Sequence, residues 1–214
     1  MVERQLRMRG IADERVLESM GAVPREHYVP DAERRRAYND SALPIGHGQT
    51  ISQPWIVAAI CQALEVDGAE RVLEIGAGLG YSTAVLARLC TDVITIERVG
   101  ELARSARRRL GDQGVDNARV VEADGSTGLP AEAPFEGIAV HATAPAPPPS
   151  LLAQLAPGAR LVMPVASHSV DMLTVYLRTG SEPPDAETGI GLERDEIGPC
   201  RFVPLIGVEG FPNP

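Results

Sequence analysis

Lysine is absent from this chain: all twenty cationic residues are arginine. They are scattered along the sequence, so the bias is compositional and marks no binding surface by itself. Positive charge is also the minority sign. With 29 acidic residues the net charge is −9, a poor fit to long nucleic acid, which needs basic surface to displace counterions. Cysteine is scarce. Cys61, Cys90 and Cys200 match no metal-ligand spacing, and an odd count leaves any disulfide framework incomplete. No metal is expected, and Cys61 and Cys90 fall in apolar stretches read as helical, where they are buried thiols. No apolar run approaches the roughly 18 residues of a membrane helix. The first residues, Met1-Val2-Glu3-Arg4-Gln5-Leu6-Arg7, lack the apolar core of a secretory signal. The expected compartment is the cytoplasm.

What is present is an ordinary globular composition. The 214 residues suffice for one sizeable core but not two, so one domain over residues 1–214 is expected. Residues 1–40 read as short helices. Asp13 stands at an N-cap position ahead of Val16, Leu17 and Met20, which share a helix face. Pro24 and Pro30 break this region into turns. Ile56, Ile60 and Leu64 recur every fourth residue, which predicts a helix over 53–65 with Pro54 in its first turn. Strands are expected near 71–75, 92–96, 118–123, 136–141 and 159–165. A helix over 99–111 turns Leu102, Ala106 and Leu110 inward, and its Arg104, Arg107, Arg108 and Arg109 read as a solvated face. The alternation predicts an α/β fold, a mostly parallel sheet with helices on both faces. After residue 165 the rhythm changes. Residues 172–177 and 201–206 read as antiparallel strands on the sheet edge, and the Gly-, Pro- and acid-rich stretch 180–198 as a mobile loop.

The most informative stretch is Val72-Leu73-Glu74-Ile75-Gly76-Ala77-Gly78-Leu79-Gly80-Tyr81. It reads as a buried strand, a glycine turn and a helix start. Glycine permits positive φ and lets a ligand approach the backbone, and the helix that follows points its positive end at the site. The spacing is Gly-x-Gly-x-Gly. A dinucleotide fingerprint would place its third glycine where Tyr81 stands. Glu97 ends the next strand, 21 residues after Gly76, about where an acid grips a ribose diol in a βαβ nucleotide site. A third strand closes on Asp124-Gly125, a pair that is also a common turn.

With Glu74 two residues ahead of Gly76, the glycine motif resembles the first motif of Rossmann-like methyltransferases that use S-adenosylmethionine. The resemblance implies a cofactor loop made of Gly76, Ala77, Gly78 and Gly80. Glu74 would serve the methionine end, Glu97 the ribose, and Asp124 and Gly125 the adenine. A second set of residues narrows the class. Leu43-Pro44-Ile45-Gly46-His47-Gly48-Gln49-Thr50-Ile51-Ser52-Gln53-Pro54 is the most specific of them. Arg9-Gly10-Ile11, Val23-Pro24-Arg25, Tyr28-Val29-Pro30, Ala37-Tyr38 and Pro134-Phe135-Glu136 belong to the same set, as do Gln154-Leu155-Ala156-Pro157-Gly158, Leu161-Val162-Met163-Pro164-Val165 and Arg201-Phe202-Val203-Pro204-Leu205. Over nearly the whole chain these strongly resemble the protein-L-isoaspartate O-methyltransferases.

That resemblance implies a Rossmann-like methyltransferase fold in three parts. Residues 1–52 would form a helical N-terminal segment and acceptor loop, 53–165 the cofactor-binding core, and 166–214 C-terminal strands and a loop. It implies methyl transfer from S-adenosylmethionine, leaving S-adenosylhomocysteine. The acceptor is the free α-carboxylate of an isoaspartyl residue in a damaged protein or peptide. The neighbouring amide nitrogen then displaces methanol from the ester, a succinimide forms, and hydrolysis returns some normal aspartyl linkage. A carboxylate is already ionised at neutral pH, so no general base is required. The site has to hold the oxygen in line with the methyl group and strip water from it. Ser52 and Thr50 are the expected hydroxyl donors to the acceptor, Ser52 foremost, with Ile51 and His141 beside them. Ser52 also suits a helix N-cap, and the two roles are compatible. His47 reads as a loop residue. A monomer with a protein or peptide substrate is expected, with no nucleic-acid or membrane partner.

The chain departs from the family at a few positions. After the fourth strand the family has a small residue where this chain has His141, in Val140-His141-Ala142-Thr143-Ala144. The histidine is either a core or rim residue, or a changed acceptor pocket whose ring meets a carboxylate. Ala166 replaces a usual glycine, and Ala123 precedes Asp124 where glycine is common. Asp171 stands about where glutamine is frequent, and its charge would hinder an anionic acceptor unless it points outward. The cofactor motif is intact, so two alternatives stay open. One is a carboxyl methyltransferase dedicated to a single peptide that goes on to an aspartimide. The other is a catalytically silent module that binds cofactor or a partner. A nucleic-acid amine methyltransferase would need an Asn/Asp-Pro-Pro-aromatic motif after the fourth strand, and a catechol-type enzyme an acidic metal cluster; neither is found.

Overall fold

A computed structural model describes residues 1–167, 169–182, 184–185 and 188–212. In chain order the elements are α1 (Glu14–Ala22), β1 (Leu43–Gly46), β2 (Gln49–Ile51), α2 (Pro54–Leu64), β3 (Arg71–Ile75), α3 (Tyr81–Leu86), β4 (Asp92–Glu97), α4 (Gly100–Asp112), β5 (Ala118–Glu122), β6 (Phe135–Val140), α5 (Pro149–Ala153), β7 (Leu155–Val165), β8 (Asp171–Arg178) and β9 (Leu192–Cys200). Seven strands form the main sheet in the order β5-β4-β3-β6-β7-β8-β9, and β1 and β2 make a separate hairpin. The pairs from β5 to β7 are parallel and the last two are antiparallel.

The strands are apolar on both faces because both faces are covered. Val72, Val93, Ala139 and Val162 pack against α1 to α4. Leu73, Ile75, Ile94, Ile96, Ile138 and Val140 pack against Leu151 and Leu152 of α5. The chain leaves β3 for β4 on one side and reaches β6 on the other. Strand order therefore reverses at β3, and a crevice opens at the carboxyl ends of β3, β4 and β6. This is where the glycine motif lies.

Local chemistry sets the helix ends. The Asp13 side chain accepts from the N–H groups of Arg15 at 2.8 Å and Val16 at 3.4 Å, so it caps α1. Pro54 opens α2, where a missing N–H costs nothing. In α4, Leu102, Ala103, Ala106 and Leu110 are buried. Its arginines are not uniformly solvated: Arg107 donates to the Val120 carbonyl and Arg109 to that of His27. Cys90 sits in the turn after α3, not within the helix, and all three thiols are buried. Among the described residues no helix is long and apolar enough to cross a membrane.

The C-terminal strands differ from the expectation. The second edge strand is β9, within the stretch read as a loop, while 201–206 crosses the end of the sheet. β9 escapes a pattern-based reading because Glu193, Arg194, Asp195 and Glu196 are exposed along it, so its residues do not alternate between apolar and polar. The 201–206 segment is apolar, but Pro204 has no N–H for a ladder. It forms one short bridge to Thr143 instead, with the Thr143 N–H on the Val203 carbonyl at 2.8 Å and the Leu205 N–H on the Thr143 carbonyl at 2.7 Å. Of the expected loop, Pro183, Ala186 and Glu187 lie outside the described residues. Replacing Asp13 with alanine should lower unfolding free energy by about 0.5–2 kcal/mol. Urea denaturation checks this, with the same slope expected for both proteins.

Candidate active site

The crevice is an open cleft of about 870 Å³, counting its solvent-filled mouth. The glycine loop, the end of β4, the start of the segment after β6, the β1–β2 hairpin and residues 203–206 form its walls.

The loop turns on three glycines in the left-handed region. Gly76, Gly78 and Gly80 have φ of 98°, 55° and 95°, a conformation that side chains with a Cβ rarely adopt. Space is short as well: a Cβ on Gly78 would lie 3.0 Å from Ile45 Cδ1, and one on Gly80 3.2 Å from Leu110 Cγ. The Ile96 carbonyl accepts from the N–H groups of Gly76 at 2.8 Å and Ala77 at 3.3 Å. The loop is thus tied to β4 and carries its backbone along the cleft wall.

Glu97 completes this tie. Its Oε2 accepts the Gly78 N–H at 2.9 Å and its Oε1 the Val99 N–H at 2.8 Å. Burial holds the carboxyl above the usual carboxylate range, against the opposing pull of these N–H groups. Each oxygen keeps a lone pair, and the residue lines the cleft. A vicinal pair of hydroxyls fits such an acceptor pair.

Glu74 lies beneath the loop, fully buried and outside the cleft wall. The Thr83 hydroxyl donates to its Oε2 at 2.5 Å. His141 Nε2 is 3.3 Å from its Oε1, near enough for an ion pair once the ring is protonated. No hydrogen bond forms, and both atoms are buried without such a partner. Burial pushes the Glu74 carboxyl up, but His141 and the hydroxyls of Ser82 and Thr83 pull it further down, below the usual range. Glu74, expected at the methionine end of the cofactor, thus lies outside the cleft wall and is held by Thr83 of α3 and His141. His141 itself lines the cleft, with its ring 6.5 Å from that of Phe202.

The β1–β2 hairpin and the residue after it bring Thr50, Ile51 and Ser52 to the cleft wall. Its turn runs through Gly46, His47 and Gly48, all with positive φ. His47 Nε2 lies 2.9 Å from Glu101 Oε2, which links the hairpin tip to α4. Neither the Ser52 nor the Thr50 hydroxyl has a hydrogen-bond partner among the described residues. Gln53, not Ser52, is the residue at the cap of α2, and it makes no capping bond through its side chain. The Ser52 hydroxyl is thus left for the cleft.

The remaining candidates divide. Gly125 lines the cleft and Asp124 does not. The Asp124 carboxylate accepts from the Ser126 N–H and hydroxyl at 2.9 and 2.8 Å, and from the Val208 N–H at 2.8 Å. It anchors the C-terminal loop beside the pocket. Asp171 accepts from the Thr143 hydroxyl at 2.8 Å and is not part of the cleft wall. Sequence reasoning missed Val203, Pro204, Leu205 and Ile206 as cleft residues because it placed them on the sheet edge. It also missed Arg98, Val99 and Ile45; only their positions next to Glu97 and Gly46 could have signalled them.

The lowered Glu74 carboxyl stabilises the fold above the ordinary carboxylate range, and that contribution is lost as pH falls through it. Glu74→Gln should cost about 1–3 kcal/mol at neutral pH. The deficit should shrink below about pH 4.3. Thermal melts from pH 7 to 3 test this, and a deficit independent of pH would assign the loss to packing alone.

Comparison with known proteins places this geometry. The model of the family protein-L-isoaspartate(D-aspartate) O-methyltransferase matches residues 1–210. Protein-L-isoaspartate O-methyltransferase 1 of Rhodopseudomonas palustris (strain HaA2) is 50% identical over 212 residues, 99% of this chain and 83% of the relative. Protein-L-isoaspartate O-methyltransferase 2 of Marinobacter nauticus is 49% identical over 214 residues, 99% of this chain and 94% of the relative. Among solved structures, a protein-L-isoaspartate O-methyltransferase superposes with a TM-score of 0.84 at 25% identity, covering 98% of this chain and 67% of that one. A putative protein-L-isoaspartate O-methyltransferase from Plasmodium falciparum, solved with S-adenosyl-L-homocysteine, gives 0.77 at 25% identity and 96% coverage of both chains. A Rossmann-like sheet ending in this glycine loop, with the family match running from residue 1 to residue 210, means that the chain belongs to the protein-L-isoaspartate(D-aspartate) O-methyltransferase family.

Proposed function

We infer that the chain transfers a methyl group from S-adenosylmethionine to the free carboxylate of L-isoaspartyl residues in damaged proteins or peptides. The observation that carries this reading is that the glycine loop and the hydroxyls of Ser52 and Thr50, which have no partner among the described residues, line one cleft. We propose that the chain works as one domain and as a monomer. We place it in the cytoplasm, acting on protein or peptide and not on nucleic acid.

The residues fit the cofactor. Gly76, Ala77 and Gly78 give it a wall of backbone and a single methyl group, while Gly80 lies outside the cleft wall and turns the chain against Leu110; Glu97 offers two acceptor oxygens for a ribose diol, and Gly125 gives a flat surface for the base. A Cβ on Gly125 would lie 2.4 Å from Ile75 Cγ2, so the wall there admits no side chain. Asp124 supports that wall through Ser126. When bound, the cofactor supplies an electrophilic methyl group on a sulfonium.

The chain's own part is binding, orientation and exclusion of water. Ser52 donates a hydrogen bond to the acceptor carboxylate and Thr50 helps to fix its second oxygen. Ile51 and Val57 give the cleft dry surface on that side. No residue has to remove a proton from an acceptor that is already ionised. Methyl transfer to the carboxylate that Ser52 and Thr50 hold would cancel the sulfonium's positive charge against the acceptor's negative charge. Excluding water from the cleft favours such a charge-cancelling step. The methyl ester then closes to the succinimide with loss of methanol.

The decisive assay is transfer of labelled methyl to matched isoaspartyl and aspartyl peptides. Transfer to the isoaspartyl peptide alone is expected. Transfer to neither, with cofactor still bound, would favour a dedicated peptide substrate or a silent module. Ser52→Ala should lower kcat/KM by about tenfold to a hundredfold, the value of one hydrogen bond to a charged group. Cofactor affinity should stay near that of the parent, and an unchanged rate would remove Ser52 from the acceptor site. Glu97→Ala should weaken cofactor binding by about 1–3 kcal/mol, and calorimetry reads the change directly.

A further inference from the structure

Arg25 is fully buried, yet no carboxylate pairs with it among the described residues. Its Nε donates to the Ala37 carbonyl at 2.8 Å and its Nη2 to the Ser52 carbonyl at 2.7 Å. The guanidinium carbon lies 4.7 Å from the centroid of the Tyr81 ring. Nη1 has no hydrogen-bond partner among the described residues. Glu26, the next residue in the chain, accepts instead from the Tyr38 hydroxyl.

A buried cation without a counter-ion is costly, and a guanidinium does not escape the cost by losing its proton. Carbonyl dipoles and the face of Tyr81 offset part of it. The contacts run in three directions: to the N-terminal segment, to the end of the acceptor hairpin, and to the first residue of α3 after the cofactor loop. Ser52 and Tyr81 both line the cleft and Arg25 does not. The cation therefore stands directly behind the wall that the acceptor meets. In such a water-poor setting a charge acts over several ångströms with far less screening than in solvent.

We propose that Arg25 is a positioning residue for the acceptor: its unmatched charge, seated behind Ser52, makes the cleft prefer an anionic acceptor group over a neutral group of the same shape. This rests on the methyl-transfer reading above. A simple brace would hold Ser52 equally well for either acceptor. The charge distinguishes them.

The test compares two peptides that differ in one group, an isoaspartyl peptide and its isoasparaginyl counterpart with the α-carboxylate replaced by a carboxamide. Their affinities are measured by calorimetry with S-adenosylhomocysteine bound, so that no turnover occurs. The parent protein should prefer the carboxylate by about tenfold or more. In Arg25→Gln, which keeps amide donors but loses the charge, the preference should fall below about threefold. Arg25→Lys, which keeps the charge, should retain most of it. A preference unchanged in Arg25→Gln, with both peptides weakened alike, overturns the proposal and leaves Arg25 a brace. If Arg25→Gln does not fold, Tyr38→Glu takes its place. That substitution puts a carboxylate beside Arg25 at a part-exposed position and should reduce the preference, whereas an unaltered preference overturns the proposal. Methylation of the isoaspartyl peptide by the parent protein is the control: its absence overturns the functional reading as well, while its presence with an unchanged preference overturns only this one.

Discussion

The hydrogen bond from the Gly78 N–H to Glu97 is the constraint on which the cleft depends. It joins the loop after β3 to the end of β4, and the Ile96 carbonyl reinforces it by holding the N–H groups of Gly76 and Ala77. A loop with three left-handed residues in five would otherwise be among the least ordered parts of a chain. Here Gly76, Ala77 and Gly78 are pinned to β4, and the Gly80 N–H closes the turn on the Ala77 carbonyl. The cost of ordering glycine is met before any ligand arrives, which is what a preorganised site requires.

Charge is arranged around this loop with equal economy. Glu74 is sealed beneath it and balanced by hydroxyls and a nearby imidazole. Glu97 reaches the cleft surface and is kept in place by backbone N–H groups. Arg25 sits behind Ser52 and outside the cleft wall. The two acids are drawn in opposite directions, because burial is outweighed at Glu74 by His141 at 3.3 Å and two hydroxyls, whereas at Glu97 burial outweighs the backbone N–H groups. Two glutamates on neighbouring strands thus behave differently for reasons that lie in their neighbours and not in the residue type.

Much of this was legible in the sequence. The strand–glycine–helix stretch gave β3, the loop and α3 to within a residue, and the 3.6-residue spacing of Leu102, Ala106 and Leu110 gave α4. Thr50, Ser52, Glu97 and Gly125 were brought to one cleft as their motifs implied. Three matters were not legible. β9 carries charge along an exposed edge, so it has no alternation to read. The 203–206 segment has strand composition but a proline where a ladder needs an N–H. Whether an acid faces the ligand or supports it depends on contacts from distant residues, as Val208 on Asp124 and Thr83 on Glu74 show. No local pattern encodes that.

The charged edge strand has a consequence for a protein that acts on damaged chains. An open sheet edge is a template for the free strands of a partly unfolded chain. In β9 the exposed run of Glu193, Arg194, Asp195 and Glu196 makes that edge a poor template, since any strand added there would have to desolvate charge of both signs. A partly unfolded chain is thereby discouraged from adding a strand at β9.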